Sequence, residues 1–146
     1  MNTKMKIAFA CYFSAGLLLA AFGVVYLFRA EFMPYHSVAV GMPWADVPPN
    51  FKILIVALMR AVGGANIALA TAMFILLIVP FRAGARWALW TVPLLGLLQC
   101  AGGLYAMSHV ALNTTANPPV WAVAIGMLLT VIGFLVSLSA RNSEKV

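Results

Sequence analysis

Apolar residues run almost unbroken through four stretches of the chain, near residues 7 to 28, 53 to 79, 87 to 107 and 120 to 138. Each is long enough to cross a bilayer, because ~20 helical residues cover the ~30 Å hydrocarbon layer. The pattern predicts an all-α fold: a four-helix transmembrane bundle with a substantial loop, residues 29 to 52, between its first two spans. Polar and special residues mark the ends. Asn2 or Thr3 can cap the first span, Pro48 and Pro49 suit the first turn of the second, and Pro80 stops it. Trp87 and Trp90 beside Arg86 anchor the third span at an interface, and Asn117 before Pro118 and Pro119 reads as the start of the fourth. Pro93 leaves the carbonyl of Leu89 unpaired and predicts a kink.

With 146 residues, 64% of them hydrophobic and 8% charged, the chain has room for one such bundle and no separate soluble domain, so 1–146 is read as a single domain. The net charge of +6 raises the question of nucleic acid, but the nine Lys and Arg are scattered singly, and no nucleic-acid partner is expected. They act instead as topology signals. Lys4 and Lys6 precede the first span, Arg82 and Arg86 separate the second from the third, and Arg141 and Lys145 follow the fourth. Short loops rich in Lys and Arg stay cytoplasmic, which predicts a multi-pass protein of a bacterial inner membrane with both termini inside and the two longer loops outside. The first apolar run exceeds the ~7 to 15 residues of a signal-peptide core and reads as an uncleaved span. Cys11 and Cys100 fall at different depths, too far apart for a disulfide.

The 29 to 52 loop is unusual in its aromatic and apolar content, with Phe32, Met33, Tyr35, Met42 and Trp44 among four prolines, and is expected to be structured and to pack on the mouth of the bundle. The most informative run inside the membrane is Arg60-Ala-Val-Gly-Gly-Ala-Asn66, which joins a charge, an amide and four small residues. By helical rise Arg60 and Gln99 come out at similar depth, roughly 10 to 12 Å below the outer ends of their spans. An arginine there costs on the order of 2.5 to 3.5 kcal/mol unless it faces protein or water. Two readings follow. In one, Arg60, Gln99 and Tyr105 with the loop residues Glu31 and His36 line an outward-facing polar pocket; in the other, Arg60 snorkels outward and pairs with Glu31 or Asp46. Asn66, about 120° around the helix from Arg60, is expected to join two helices by a hydrogen bond, with Gly63, Gly64, Gly102 and Gly103 providing room for close packing.

Other chemistry finds little footing. His36, His109 and several methionines fall near the outer face, but their spacing matches no ligand set, so no metal or cofactor is expected. No serine sits in an activating motif, and no catalytic residues are assigned. Every acidic residue lies outside the spans, which argues against a proton-driven pump.

The runs Phe32-Met-Pro-Tyr-His36, Ala57-Leu-Met-Arg-Ala-Val-Gly-Gly64 and Pro80-Phe-Arg-Ala-Gly-Ala-Arg-Trp-Ala88 resemble those of small, functionally uncharacterised four-span bacterial membrane proteins. The layout is similar to that of the broader DoxX-like group. The resemblance implies a helix count and a bacterial membrane location, and supplies no active-site residues.

Three expectations about function follow. The first is a non-enzymatic membrane protein whose outward pocket binds a lipid or another amphipathic small molecule. The second is an accessory subunit packing its glycine-rich faces on a membrane-protein partner or on another copy of itself. The third is a membrane enzyme acting on a lipid-like substrate, with His36 or Glu31 as acid or base.

Overall fold

A computed structural model describes residues 1–142; Lys145, one of the six charges used above to orient the chain, lies outside the described residues. All the regular structure described is helical. Helix α1 spans Thr3–Phe28, the short α2 Pro34–Val40, α3 Pro49–Leu76, α4 Ala88–Asn113 and α5 Val120–Asn142. A one-turn 3₁₀ segment, Trp44–Asp46, precedes α3, and a π turn, Leu77–Phe81, prolongs it. Four helical segments, Thr3–Phe28, Pro49–Phe81, Ala88–Asn113 and Val120–Arg141, are long and apolar enough to cross a membrane.

The ends follow local chemistry. The Asn2 side chain caps α1 by accepting the Met5 N–H at 2.9 Å. Pro49 occupies the first turn of α3, where its missing N–H costs nothing. Pro80 does not end α3 by a simple break. It lies inside the π turn, and the chain reverses just beyond it at Gly84, whose φ of +77° is a left-handed conformation suited to glycine. Helix α5 begins at Val120, one residue after the Pro118-Pro119 pair.

Helix α1 is the hub, packed along one side by α3 and along another by α5, while α4 packs mainly on α5. In hydrocarbon, apolar burial does not drive helices together, so they associate where small residues let backbones approach. The α1–α3 contact shows this directly. A Cβ placed on Gly63 would stand 2.5 Å from the Leu27 backbone nitrogen and 2.7 Å from the Gly23 carbonyl oxygen. Two further pairs use the same device, Gly133 of α5 against the Tyr12 ring of α1 and Gly96 of α4 against Thr130 of α5.

The two halves of the bundle are filled differently. Toward the end that carries Met1 and the 82–87 link, Ala8, Tyr12, Met73, Leu77, Phe81 and Val92 form a solid core, with Tyr12 set edge-on to Phe81 at 5.7 Å between ring centroids. At the opposite end, Phe32, Val47 and Met59 are buried together, with Tyr26, Trp44 and Ile55 packed around them. The segment joining α1 to α3 is thereby pinned across that end of the bundle.

Gly63→Ala is expected to destabilise the protein by roughly 1 to 3 kcal/mol, the usual cost of overpacking, whereas Gly64→Ala, with nothing within 4 Å of its added Cβ, is expected to be close to neutral. Thermal unfolding of the two variants in the same detergent measures the difference.

Candidate functional site

The buried face of α3 sets the geometry of the site. Met59, Gly63, Asn66, Ala70 and Met73 recur every three or four residues and turn inward together. Arg60 lies about 100° from Met59 on the helix surface, so the same stripe that buries Gly63 and Asn66 turns Arg60 outward. Arg60 is exposed, and no hydrogen bond or ion pair engages it among the described residues. On α4 the inward stripe continues from Val92 and Gly96 through Gln99, Cys100 and Gly103 to Met107.

These stripes line a partly open cavity of about 330 Å³ between all four long helices. Its floor is the top of the solid core, at Ala15, Met73, Gly96 and Thr130, and its walls include Leu19, Phe22, Val62, Val110 and Val123. The distance along α3 from Met73 to Val62 is eleven residues, or roughly 16 Å. Over the far end lies α2, which contributes Tyr35 and His36 to the lining. No charged side chain lines the cavity apart from the titratable His36.

Polar groups occur at defined levels. Halfway up, Gln99 of α4 donates from Nε2 to Asn66 Oδ1 of α3 at 2.9 Å. Consecutive helices α3 and α4 otherwise touch sparsely along the upper bundle, so this bond bridges their seam. Lower down, the Thr130 hydroxyl donates to the Gly126 carbonyl of its own helix at 2.8 Å and is thus internally satisfied.

At the covered end the Tyr26 and Tyr35 hydroxyls meet at 2.8 Å, tying α2 to α1. His36 Nδ1 accepts the Met33 N–H at 3.3 Å, and its ring lies against Tyr35, with centroids 4.1 Å apart. An accepting Nδ1 places the proton of the neutral imidazole on Nε2. Burial, and secondarily the nearby Arg29 charge, push the His36 pKa below its ordinary 6.5, so the ring is neutral at pH 7. Burial and the bond to Tyr26 push the Tyr35 phenol upward, and it stays protonated throughout the physiological range.

Of the five ligand-contacting residues expected from sequence, the structure brings two, Gln99 and His36, to one cavity. The other three lie elsewhere. Arg60 faces outward; Tyr105 is on the opposite face of α4 and 79% exposed; Glu31 pairs with Arg29 at 3.7 Å near the surface, and not with Arg60. Asp46 is exposed within the 3₁₀ turn and is not paired with Arg60 either. Asn66 joins two helices as expected, and its partner is Gln99, which this bond sets level with Asn66 and roughly 9 Å deeper than Arg60, not at the depth of Arg60 as expected. The glycines divide: Gly63 is at the α1–α3 contact and Gly103 faces Val123 at 3.6 Å from a built Cβ, while Gly64 and Gly102 meet nothing within 4 Å and face outward. Tyr26, Tyr35 and Thr130 are cavity residues that the chain pattern did not single out for that role. Both cysteines are free, and no group of three metal-ligating side chains occurs among the described residues.

No protein-family model, curated protein sequence or solved structure matches the chain. Residue roles at this cavity therefore rest on its own geometry.

Two outcomes are expected. In a double-mutant cycle of Asn66→Leu and Gln99→Leu, unfolding free energies in detergent should show a coupling of about 0.5 to 2 kcal/mol, the range for intramembrane hydrogen bonds. For His36, the unfolded chain takes up a proton near pH 6.5 while the folded ring resists it. The unfolded state then binds more protons, and stability falls as pH drops below 6.5. Melting temperatures measured between pH 7.5 and 5 should decline in the parent, and decline less in His36→Gln.

Proposed function

We infer that the protein is a non-enzymatic, multi-pass protein of the bacterial inner membrane that holds a lipid-like or other amphipathic small molecule in the cavity between its four long helices. One observation carries this reading: the upper bundle is hollow while the lower bundle is solid, and the hollow is capped by a dedicated helix. A bundle needing only stability would fill that space, since interiors otherwise pack to the density of organic crystals.

The chemistry of the lining selects the ligand. A mostly apolar wall favours an acyl, isoprenoid or ring system, and the volume lies at the small end of the ~300 to 1,000 Å³ of ligand pockets. An ionised group inside would find no fixed counter-charge, so the enclosed part of the ligand is neutral. Gln99, Asn66 and the His36 Nε2–H are placed to recognise a carbonyl or hydroxyl. Arg60 has no part in this. The sparse α3–α4 seam gives a route from the surrounding lipid. Lys4, Lys6, Arg82, Arg86 and Arg141 all belong to the end opposite α2, and the positive-inside rule supports reading that end as cytoplasmic, with α2 outside.

A second reading draws on the outward face of α3. There Arg60 stands among Ala57, Ala61, Gly64, Ala65 and Ala68, a face small enough for another helix to approach closely. This favours an accessory role beside a larger membrane protein, and is compatible with an occupied cavity. A catalytic role for His36 finds no support in a carboxylate, since none lines the cavity with it.

Native mass spectrometry of the gently solubilised protein tests the first reading. The parent and Arg60→Ala should both release a co-purifying small molecule or lipid, and Gly103→Phe, which fills the cavity from α4, should not. A folded Gly103→Phe that retains the same molecule to the same extent would refute it.

A further inference from the structure

A second recess lies at the other end of the bundle, among residues read so far only as topology signals. Arg82 and Arg86 from the α3–α4 link and Arg141 from the last turn of α5 line one cleft of about 440 Å³. The link is shaped for this. Gly84 N–H donates to the Phe81 carbonyl at 3.0 Å and Ala85 N–H to the Pro80 carbonyl at 2.9 Å. With Gly84 in its left-handed conformation, the tight reversal holds Arg82 and Arg86 at the same recess, facing a helix end from the far side of the sequence.

Charge makes the arrangement informative. Both acidic side chains among the described residues, Glu31 and Asp46, belong to the segment at the opposite end of the bundle. None of the three arginines makes an ion pair with a described residue. A positive-inside signal requires only that basic residues be on one side, and does not require three guanidinium groups to share one concavity. Their mutual repulsion is relieved by a bound anion, and guanidinium forks match the oxygens of a phosphate. The cleft is also amphipathic: Met5, Phe81 and Leu89 line it together with the arginines. At the end of a membrane-spanning bundle this pairs a site for a phosphate with an apolar surface for the first carbons of a chain.

We propose that this cleft binds one phosphate-bearing anion, presented by the membrane as the headgroup of an anionic phospholipid. Arg82, Arg86 and Arg141 hold the phosphate, and Met5, Phe81 and Leu89 receive the start of the acyl chains. The site is separate from the cavity under α2 and does not depend on what that cavity holds.

The test is lipid titration of the full chain in a neutral detergent, read by native mass spectrometry, with phosphatidylglycerol and phosphatidylcholine as probes. Saturable binding of one phosphatidylglycerol is expected, with phosphatidylcholine much weaker. Removing three charges near a membrane surface should weaken that binding on the order of a hundredfold in R82Q/R86Q/R141Q. Arg60→Gln, which removes one positive charge elsewhere, should leave it unchanged. If the triple variant does not fold, the single variants Arg82→Gln and Arg141→Gln carry the test, each expected to weaken binding severalfold. Competition by millimolar inorganic phosphate, lost with the arginines, would support the phosphate site and assign it to a soluble anion as well. Arginine-dependent binding that inorganic phosphate does not displace would support the lipid headgroup. Equal binding of the two lipids, or unchanged phosphatidylglycerol binding in folded arginine variants, would overturn the proposal.

Discussion

Everything in this fold depends on how closely α1 and α3 can approach at Gly23 and Gly63. Lipid tails are as apolar as the side chains facing them, so the bundle is held by packing and a few interior hydrogen bonds, and not by expulsion of apolar surface from water. Backbone-to-backbone contact at Gly63 fixes the rotation of α3 about its own axis. Once that rotation is set, Asn66 must face Gln99, Met73 must join the core, and Arg60 must point away. One contact without side chains thus decides which side chains meet.

The same constraint accounts for the uneven filling of the bundle. Helix α1 serves both α3 and α5, and α4 leans on α5, so the ring of helices is sealed tightly at three seams and lightly at the fourth. Near the 82–87 link the fourth seam is closed by chain connection and by the π turn, which brings Leu77 and Phe81 into the core. Farther along, α3 and α4 are in sparse contact, and Gln99 and Asn66 reach across. The hollow is a consequence of helix connectivity together with the small residues Gly96, Gly103 and Gly126 on its walls.

Much of the architecture was legible from apolar run length alone, because hydrocarbon thickness imposes a length that few other structures demand. The four spans, the Asn2 cap and the helix start at Pro49 follow from local chemistry that needs no tertiary partner. Depth along each helix was only coarsely readable: counting from the span ends puts Arg60 and Gln99 near the same level, whereas the bond to Asn66 sets Gln99 six residues, roughly 9 Å, deeper than Arg60. Rotation was not. Arg60 and Asn66 cannot share a face, and the choice between them turns on which helix touches Gly63, information spread over Gly23 and Leu27 forty residues earlier. Tyr35 and His36 were visible as aromatic loop residues, but only the Tyr26 hydroxyl, meeting Tyr35 across nine positions, shows that they cover a cavity.

The Tyr26–Tyr35 bond has one more effect. It is a neutral hydrogen bond that, together with edge-on contacts of the His36 ring to Tyr26 and Phe32, holds a seven-residue helix that buries no residue of its own. The hydrogen bond itself contributes only about 1 kcal/mol net. With Phe32 buried just before α2 and Val47 just after it, against Met59 of α3, the cover over the cavity is anchored at its two ends and rests on side-chain contacts between them.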